Sequence, residues 1–100
     1  MRYELIFSPE AREDLDGIFK YIRHNASDAV AARYIERIDT YCQSLGDFPV
    51  RGSRRDDLLP GMRLVAFERR LSIGFQIVGM SVVFLRFLYG GRQFGSSADD

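Results

Sequence analysis

The sequence predicts an α+β fold of two layers in the order β-αα-βββ, with a helix hairpin packed on one face of a mainly antiparallel four-stranded sheet. Three observations carry that expectation. Leu71–Val78 alternates Leu71, Ile73, Phe75 and Ile77 against Ser72, Gly74 and Gln76, the period-two pattern of a half-buried strand. Val82–Leu88 follows after Gly79-Met80 and is apolar at every position but Arg86, as suits a central strand covered on both faces. Upstream, two stretches carry apolar residues at spacings of three and four, the pattern of amphipathic helices.

Taken in order, Arg2–Phe7 sets Tyr3, Leu5 and Phe7 against Arg2 and Glu4 and reads as a short strand. Ser8-Pro9-Glu10 then supplies an N-cap, a proline at the first helical position and an acid in the first turn. Ala11, Leu15, Ile18, Phe19 and Ile22 make the apolar stripe of a helix that Asn25 ends and Ser27-Asp28 restarts. The second stripe is Val30, Tyr34, Ile38, Tyr41, Leu45 and Phe48, widened by Ile35 and Cys42. So short a link makes the two helices antiparallel neighbours. Residues 49–57 read as a polar connector, Pro60-Gly61 as the centre of a type II turn, and Arg63–Phe67 as a third strand. Gly79, which tolerates positive φ, suits a II′ turn in the last hairpin. The first strand should flank the last one. Residues 1–95 are expected to form a single domain and 96–100 a flexible tail.

Composition narrows the function classes. The 46% hydrophobic and 28% charged content is that of a soluble globular chain. No apolar run approaches the ~20 residues a membrane helix needs. One Cys and one His exclude a zinc site by motif, and no metal or other cofactor is expected. Cys42 reads as a small buried hydrophobe, and with no signal-peptide pattern at the N-terminus the expected compartment is the cytoplasm. Net charge is zero but lopsided: residues 1–48 hold six basic and nine acidic residues, whereas residues 49–98 hold eight arginines and three acids. Thirteen of the fourteen basic residues are arginine, the side chain suited to planar recognition of carboxylate or phosphate.

The candidate site gathers on the C-terminal strands. Arg70 opens one strand and Arg86 lies near the end of its hairpin partner, ends that adjoin in an antiparallel pair, and Tyr89 lies just beyond. Two guanidiniums and a phenol meeting there would suit phosphate binding or phosphodiester chemistry. The competing reading pairs Arg86 with an acid such as Glu68 or Glu4. Arg63, Arg69 and Arg92 belong to the same set of cations. Asp56-Asp57 reads as a solvated loop, and His24 as a partner of the first helix's dipole.

Seven short pieces in order complete the picture. They are Phe7-Ser8-Pro9-Glu10-Ala11, Ala32-Arg33-Tyr34-Ile35, Phe48-Pro49 with Arg51-Gly52, and Arg54-Arg55-Asp56-Asp57-Leu58. After these come Pro60-Gly61-Met62-Arg63, Phe67-Glu68-Arg69-Arg70, and the run from Leu85 through Arg86 and Tyr89 to Arg92. They run from Phe7 to Arg92, and over about Tyr3 to Phe94 the chain resembles the ParE-like branch of the ParE/RelE superfamily of type II toxins, the plasmid-stabilisation proteins.

The resemblance implies the same β-αα-βββ fold. It also implies a ParD-like antitoxin that wraps the toxin with a segment folding on binding, and contact with DNA only through that complex. Superfamily members divide between poisons of DNA gyrase and ribosome-dependent endoribonucleases that cut messenger RNA. Carried over by position, Arg70, Arg86 and Tyr89 match nuclease residues, and Asp56 or Asp57 falls near a carboxylate base. Leu88 stands where some nucleases have His, no lysine occurs in residues 49–98, and the Tyr89-Gly90-Gly91-Arg92 ending looks ParE-like. The resemblance therefore favours a gyrase inhibitor, with Arg63, Arg70, Arg86, Tyr89, Arg92 and Phe94 as the target-binding set and no catalytic residues. An endoribonuclease using Arg70, Arg86 and Tyr89 is the alternative, and an antitoxin-binding module without toxicity is a third.

Overall fold

The computed structural model describes residues 2–90. Its elements are β1 (Glu4–Phe7), α1 (Pro9–Asn25), α2 (Asp28–Asp47), β2 (Ser53–Arg54), β3 (Met62–Phe67), β4 (Leu71–Val78) and β5 (Ser81–Tyr89). The sheet order is β1-β5-β4-β3-β2, with β1 parallel to β5 and every other pair antiparallel. The α+β class and the flanking first strand agree with the sequence reading. The strand count does not: the sheet has five strands, not four, because Ser53-Arg54 of the connector pairs with Leu64 and Arg63. A two-residue strand has no alternation to detect. Residues 96–100 lie outside the described residues, and among those described no helix is long and apolar enough to cross a membrane.

Local signals account for the helix ends. The Ser8 hydroxyl accepts from the Ala11 amide at 3.0 Å, and the Ser27 hydroxyl from the Val30 amide at 3.1 Å, each satisfying an amide with no partner in its own helix. Ala26 ends α1 with its amide on the Ile22 carbonyl. Phe48, placed on the second apolar stripe by spacing, is instead 75% exposed. It stands at the C-cap of α2 with φ −137° and ψ 81°, so the chain has left the helical path by that residue. The turns behave as expected. Gly61 has φ +80° beside Pro60, and the Met62 amide closes the turn on the Leu59 carbonyl at 2.9 Å, while Gly79 has φ +60°.

The core lies between the helix hairpin and the sheet. Ala11, Ile18 and Ile22 of α1 and Ala31, Tyr34, Ile38, Cys42 and Leu45 of α2 pack on Val65, Leu71, Ile73, Phe75, Val82, Phe84 and Phe87. Phe7 stacks on Phe84 with ring centroids 4.7 Å apart, fixing β1 to the core.

One irregularity decides which β5 side chains join that core. Gly74 pairs with Arg86 and Phe75 with Phe84, so Leu85 has no partner on β4 and forms a β-bulge. The extra residue shifts the alternation by one. Val82 and Phe84 before the bulge and Phe87 and Tyr89 after it therefore all pack toward the helices. A regular strand would turn Phe87 and Tyr89 to the other face.

The bulge coincides with the end of β1. That strand pairs only with Ser81–Phe84, so the outer edge of β5 beyond Phe84 has lost its neighbour. The start of α1 fills the gap. The Ser8 amide donates to the Phe84 carbonyl at 2.9 Å, and the Ser8 hydroxyl donates to the Leu85 carbonyl at 3.0 Å. Nearly two turns on, the Asp14 carboxylate accepts from the Phe87 amide at 2.8 Å and from Arg86 Nε and Nη2 at 2.7 and 3.0 Å. The charge inside the central strand thus has its partner. It is Asp14, not Glu68 or Glu4.

Replacing Asp14 with Ala strips the Phe87 amide and the Arg86 fork of their acceptor. The expected loss of unfolding free energy is about 2–3 kcal/mol, discounted from a fully buried pair because Arg86 remains 40% exposed. Urea denaturation measures it, and a change under ~0.5 kcal/mol would show that the contact carries no stability.

Candidate functional site

The C-terminal end of β5 meets the N-terminal half of α2 across the β3–β4 turn. Val30, Arg33, Tyr34 and Arg37 stand at i, i+3, i+4 and i+7, so they share one side of α2. Opposite them, Glu68 and Arg69 have φ of +50° and +65°, the left-handed region that residues with a Cβ seldom occupy. This turn is held from outside. Arg37 Nε and Nη2 donate to the two Glu68 oxygens at 2.8 and 2.9 Å, and the same guanidinium lies 5.2 Å from the centre of the Tyr34 ring. The Arg37 guanidinium holds the Glu68 carboxyl below its ordinary range.

Between these parts lies a cleft of about 380 Å³, lined by Arg33, Tyr34, Arg37, Glu68, Arg70 and Tyr89 together with Ile22 and Val30. Tyr89 meets Tyr34 edge-on at 5.6 Å and Tyr21 at 6.0 Å. Its ring also borders a second cleft of about 590 Å³ whose polar wall is Glu13 and Asp14. Tyr34 is 7% exposed, and its hydroxyl has no hydrogen-bond partner among the described residues. Burial, reinforced by Tyr89 and Glu68, pushes its pKa up to about 12.

The sequence-derived site is only partly assembled. Arg70 and Tyr89 share the first cleft, as their places at adjoining strand ends require, with the Gly90 amide on the Arg70 carbonyl at 2.9 Å. Arg86 does not join them. It pairs with Gly74, three positions inward from the Leu71–Tyr89 pair, and its fork is taken up by Asp14. Arg63 is absent from the cleft lining as well. It lies toward the other end of β3 with Nε on the Arg51 carbonyl at 3.0 Å. Asp56 and Asp57 are each gripped by the arginine two residues earlier, Arg54 and Arg55, which keep both carboxyls below their ordinary range. Arg92 and Phe94 lie outside the described residues.

What the sequence reading did not single out is Arg33 and the polar end of Tyr34. Tyr34 fits the apolar stripe so well that its hydroxyl drew no attention. The available signal was the position of Arg33 beside it, one residue off the stripe, where a long cation can lean over the cleft.

Comparison with known proteins bears on most of the chain. The family model described as ParE toxin of type II toxin–antitoxin system, parDE, matches residues 5–94. Toxin ParE3 of Caulobacter vibrioides is 34% identical over 77 residues, covering 77% of this chain and 76% of that protein. Among solved structures, a chain of the chromosomal ParDE toxin–antitoxin system from P. aeruginosa superposes with a TM-score of 0.76 at 23% identity, over 89% of this chain and 97% of that one. A chain of the toxin–antitoxin complex RelBE2 from Mycobacterium tuberculosis gives 0.57 at 21% identity, over 89% and 99%. The two structural likenesses establish the shared fold.

Burial of two neutral acids on α2 has a measurable consequence. Tyr34 rises from 10.0 and Cys42 from 9.0, each to about 12, so both stay protonated in the folded chain after they would ionise in the unfolded one. The stability this contributes is fully present below pH 9 and is lost as pH rises through the unfolded values toward about 12. Urea midpoints should therefore fall across that window, and Cys42→Ala should make the fall shallower. A flat profile would contradict the burial of both groups.

Proposed function

The chain belongs to the ParE toxin family of type II toxin–antitoxin systems, and from that premise we propose that it arrests growth by inhibiting DNA gyrase. In this reading a ParD-like antitoxin in the cytoplasm holds it in check, and the pair reaches DNA only as a complex. The observation that carries the choice of gyrase over messenger RNA is the state of Arg86. A phosphodiester-cleaving site needs cations free to meet developing charge, and the Nε–Nη2 edge of the Arg86 guanidinium is engaged by Asp14. The carboxylates that could act as a base are tied up by Arg54 and Arg55. What remains is a binding surface at the end of β5, where Arg70 and Tyr89 are followed in sequence by Arg92 and Phe94. These four residues make the proposed gyrase contact, and Arg63 and Arg86 act on it only through the fold.

The antitoxin reading draws support from the solved relatives, which are chains of toxin–antitoxin assemblies. A nuclease reading keeps one favourable feature, the shared cleft of Arg70 and Tyr89.

Induced expression of the chain alone in bacteria tests the choice. The expected outcome is growth arrest with an SOS response, filamentation and intact transcripts. Rapid transcript cleavage without SOS would transfer the activity to messenger RNA. Uninhibited growth would leave an antitoxin-binding module without toxicity.

A further inference from the structure

The cleft beside Tyr89 contains more donors than the fold uses. Arg33 and Arg70 line it, and among the described residues neither guanidinium has an ionic or hydrogen-bonding partner. Arg37, the third cation, turns its Nε–Nη2 edge to Glu68, so that pair is close to neutral. The Tyr34 hydroxyl is buried without a partner among the described residues, so the accessible donors are the two arginines. The left-handed turn at Glu68-Arg69, held by Arg37, is what brings Arg70 to the cleft. A strained turn kept in place by an ion pair is the kind of geometry found where a ligand is gripped.

We infer that this cleft is a carboxylate site, and that it seats an Asp or Glu side chain of an acidic peptide segment with an apolar residue next to it. Two guanidinium forks match the planar shape and charge of a carboxylate. Val30, 40% exposed, lines the same cleft beside the buried Ile22 and seats the neighbouring side chain. A nucleic-acid strand fits less well. It needs a continuous track of positive charge, and just past Tyr89 the wall offers none: it carries Glu13 and an Asp14 already neutralised by Arg86. The inference stands on this geometry and does not depend on which cellular target the chain attacks.

Nuclear magnetic resonance on the full-length chain provides the test. The probes are N-acetyl-Leu-Glu-Leu-amide, its Gln counterpart, inorganic phosphate and a ten-residue thymidine oligonucleotide, each followed through the Arg Nε–H and Tyr ring signals. The Glu peptide should give saturable shifts at Arg33, Arg70 and Tyr34, and the Gln peptide none. Arg33→Ala or Arg70→Ala should weaken the binding about tenfold or more. Equal binding of the Gln peptide, tighter binding of phosphate or oligonucleotide, or no saturable shift with any probe would overturn the inference.

Discussion

Three hydrogen bonds converge on the Asp14 carboxylate, and the placement of everything on β5 beyond Phe84 depends on them. A nine-residue central strand has only a four-residue neighbour on its outer side. The backbone groups left over must find partners or carry a desolvation cost. The first helix supplies those partners, through the Ser8 hydroxyl at the bulge and Asp14 nearly two turns later. Ser8 therefore has two roles, capping its own helix and closing the strand beside it.

The bulge that this arrangement secures sets the phase of the strand's end. Phe87 joins the core, Tyr89 comes to stand between Tyr21 and Tyr34, and the two clefts on either side of Tyr89 take their shape. The same contact removes Arg86 from the pool of free cations. A residue that sequence position marks as chemically active is here engaged in structure. Available cationic character passes to Arg33 and Arg70, which border the cleft through α2 and the β3–β4 turn.

Much of the fold was legible in the sequence because local rules and tertiary packing agree. Ser8-Pro9, Ser27 and Pro60-Gly61 each fix a boundary by short-range geometry, and all three behave as their residue types require. The alternation in Leu71–Val78 survives because nothing interrupts β4 itself. The features missed are those that have no local period. Ser53-Arg54 becomes a strand only because Leu64 and Arg63 run beside it. Phe48 continues the spacing of α2 after the helix has ended. Arg86 pairs with a residue 72 positions away, a contact to which hydrophobic periodicity is blind. The apolar run Val82–Leu88 pointed to a strand covered on both faces. Part of its continuity has another source, a change of phase at Leu85 that brings residues of both parities to the core. The polar half of Tyr34 was hidden by its fit to the apolar stripe.

The central claim is that Asp14 and Arg86 act as one structural unit at the bulge, and a double-mutant cycle addresses it directly. The four proteins are the parent chain, Asp14→Asn, Arg86→Met and the double variant, compared by urea denaturation at one pH and salt concentration. Residues sharing one hydrogen-bonded pair should show a coupling energy of roughly 1.5–3 kcal/mol, with the double variant losing much less than the two single losses combined. Losses that add to within ~0.5 kcal/mol would contradict the account, because Arg86 would then be energetically independent of Asp14 and free for another role.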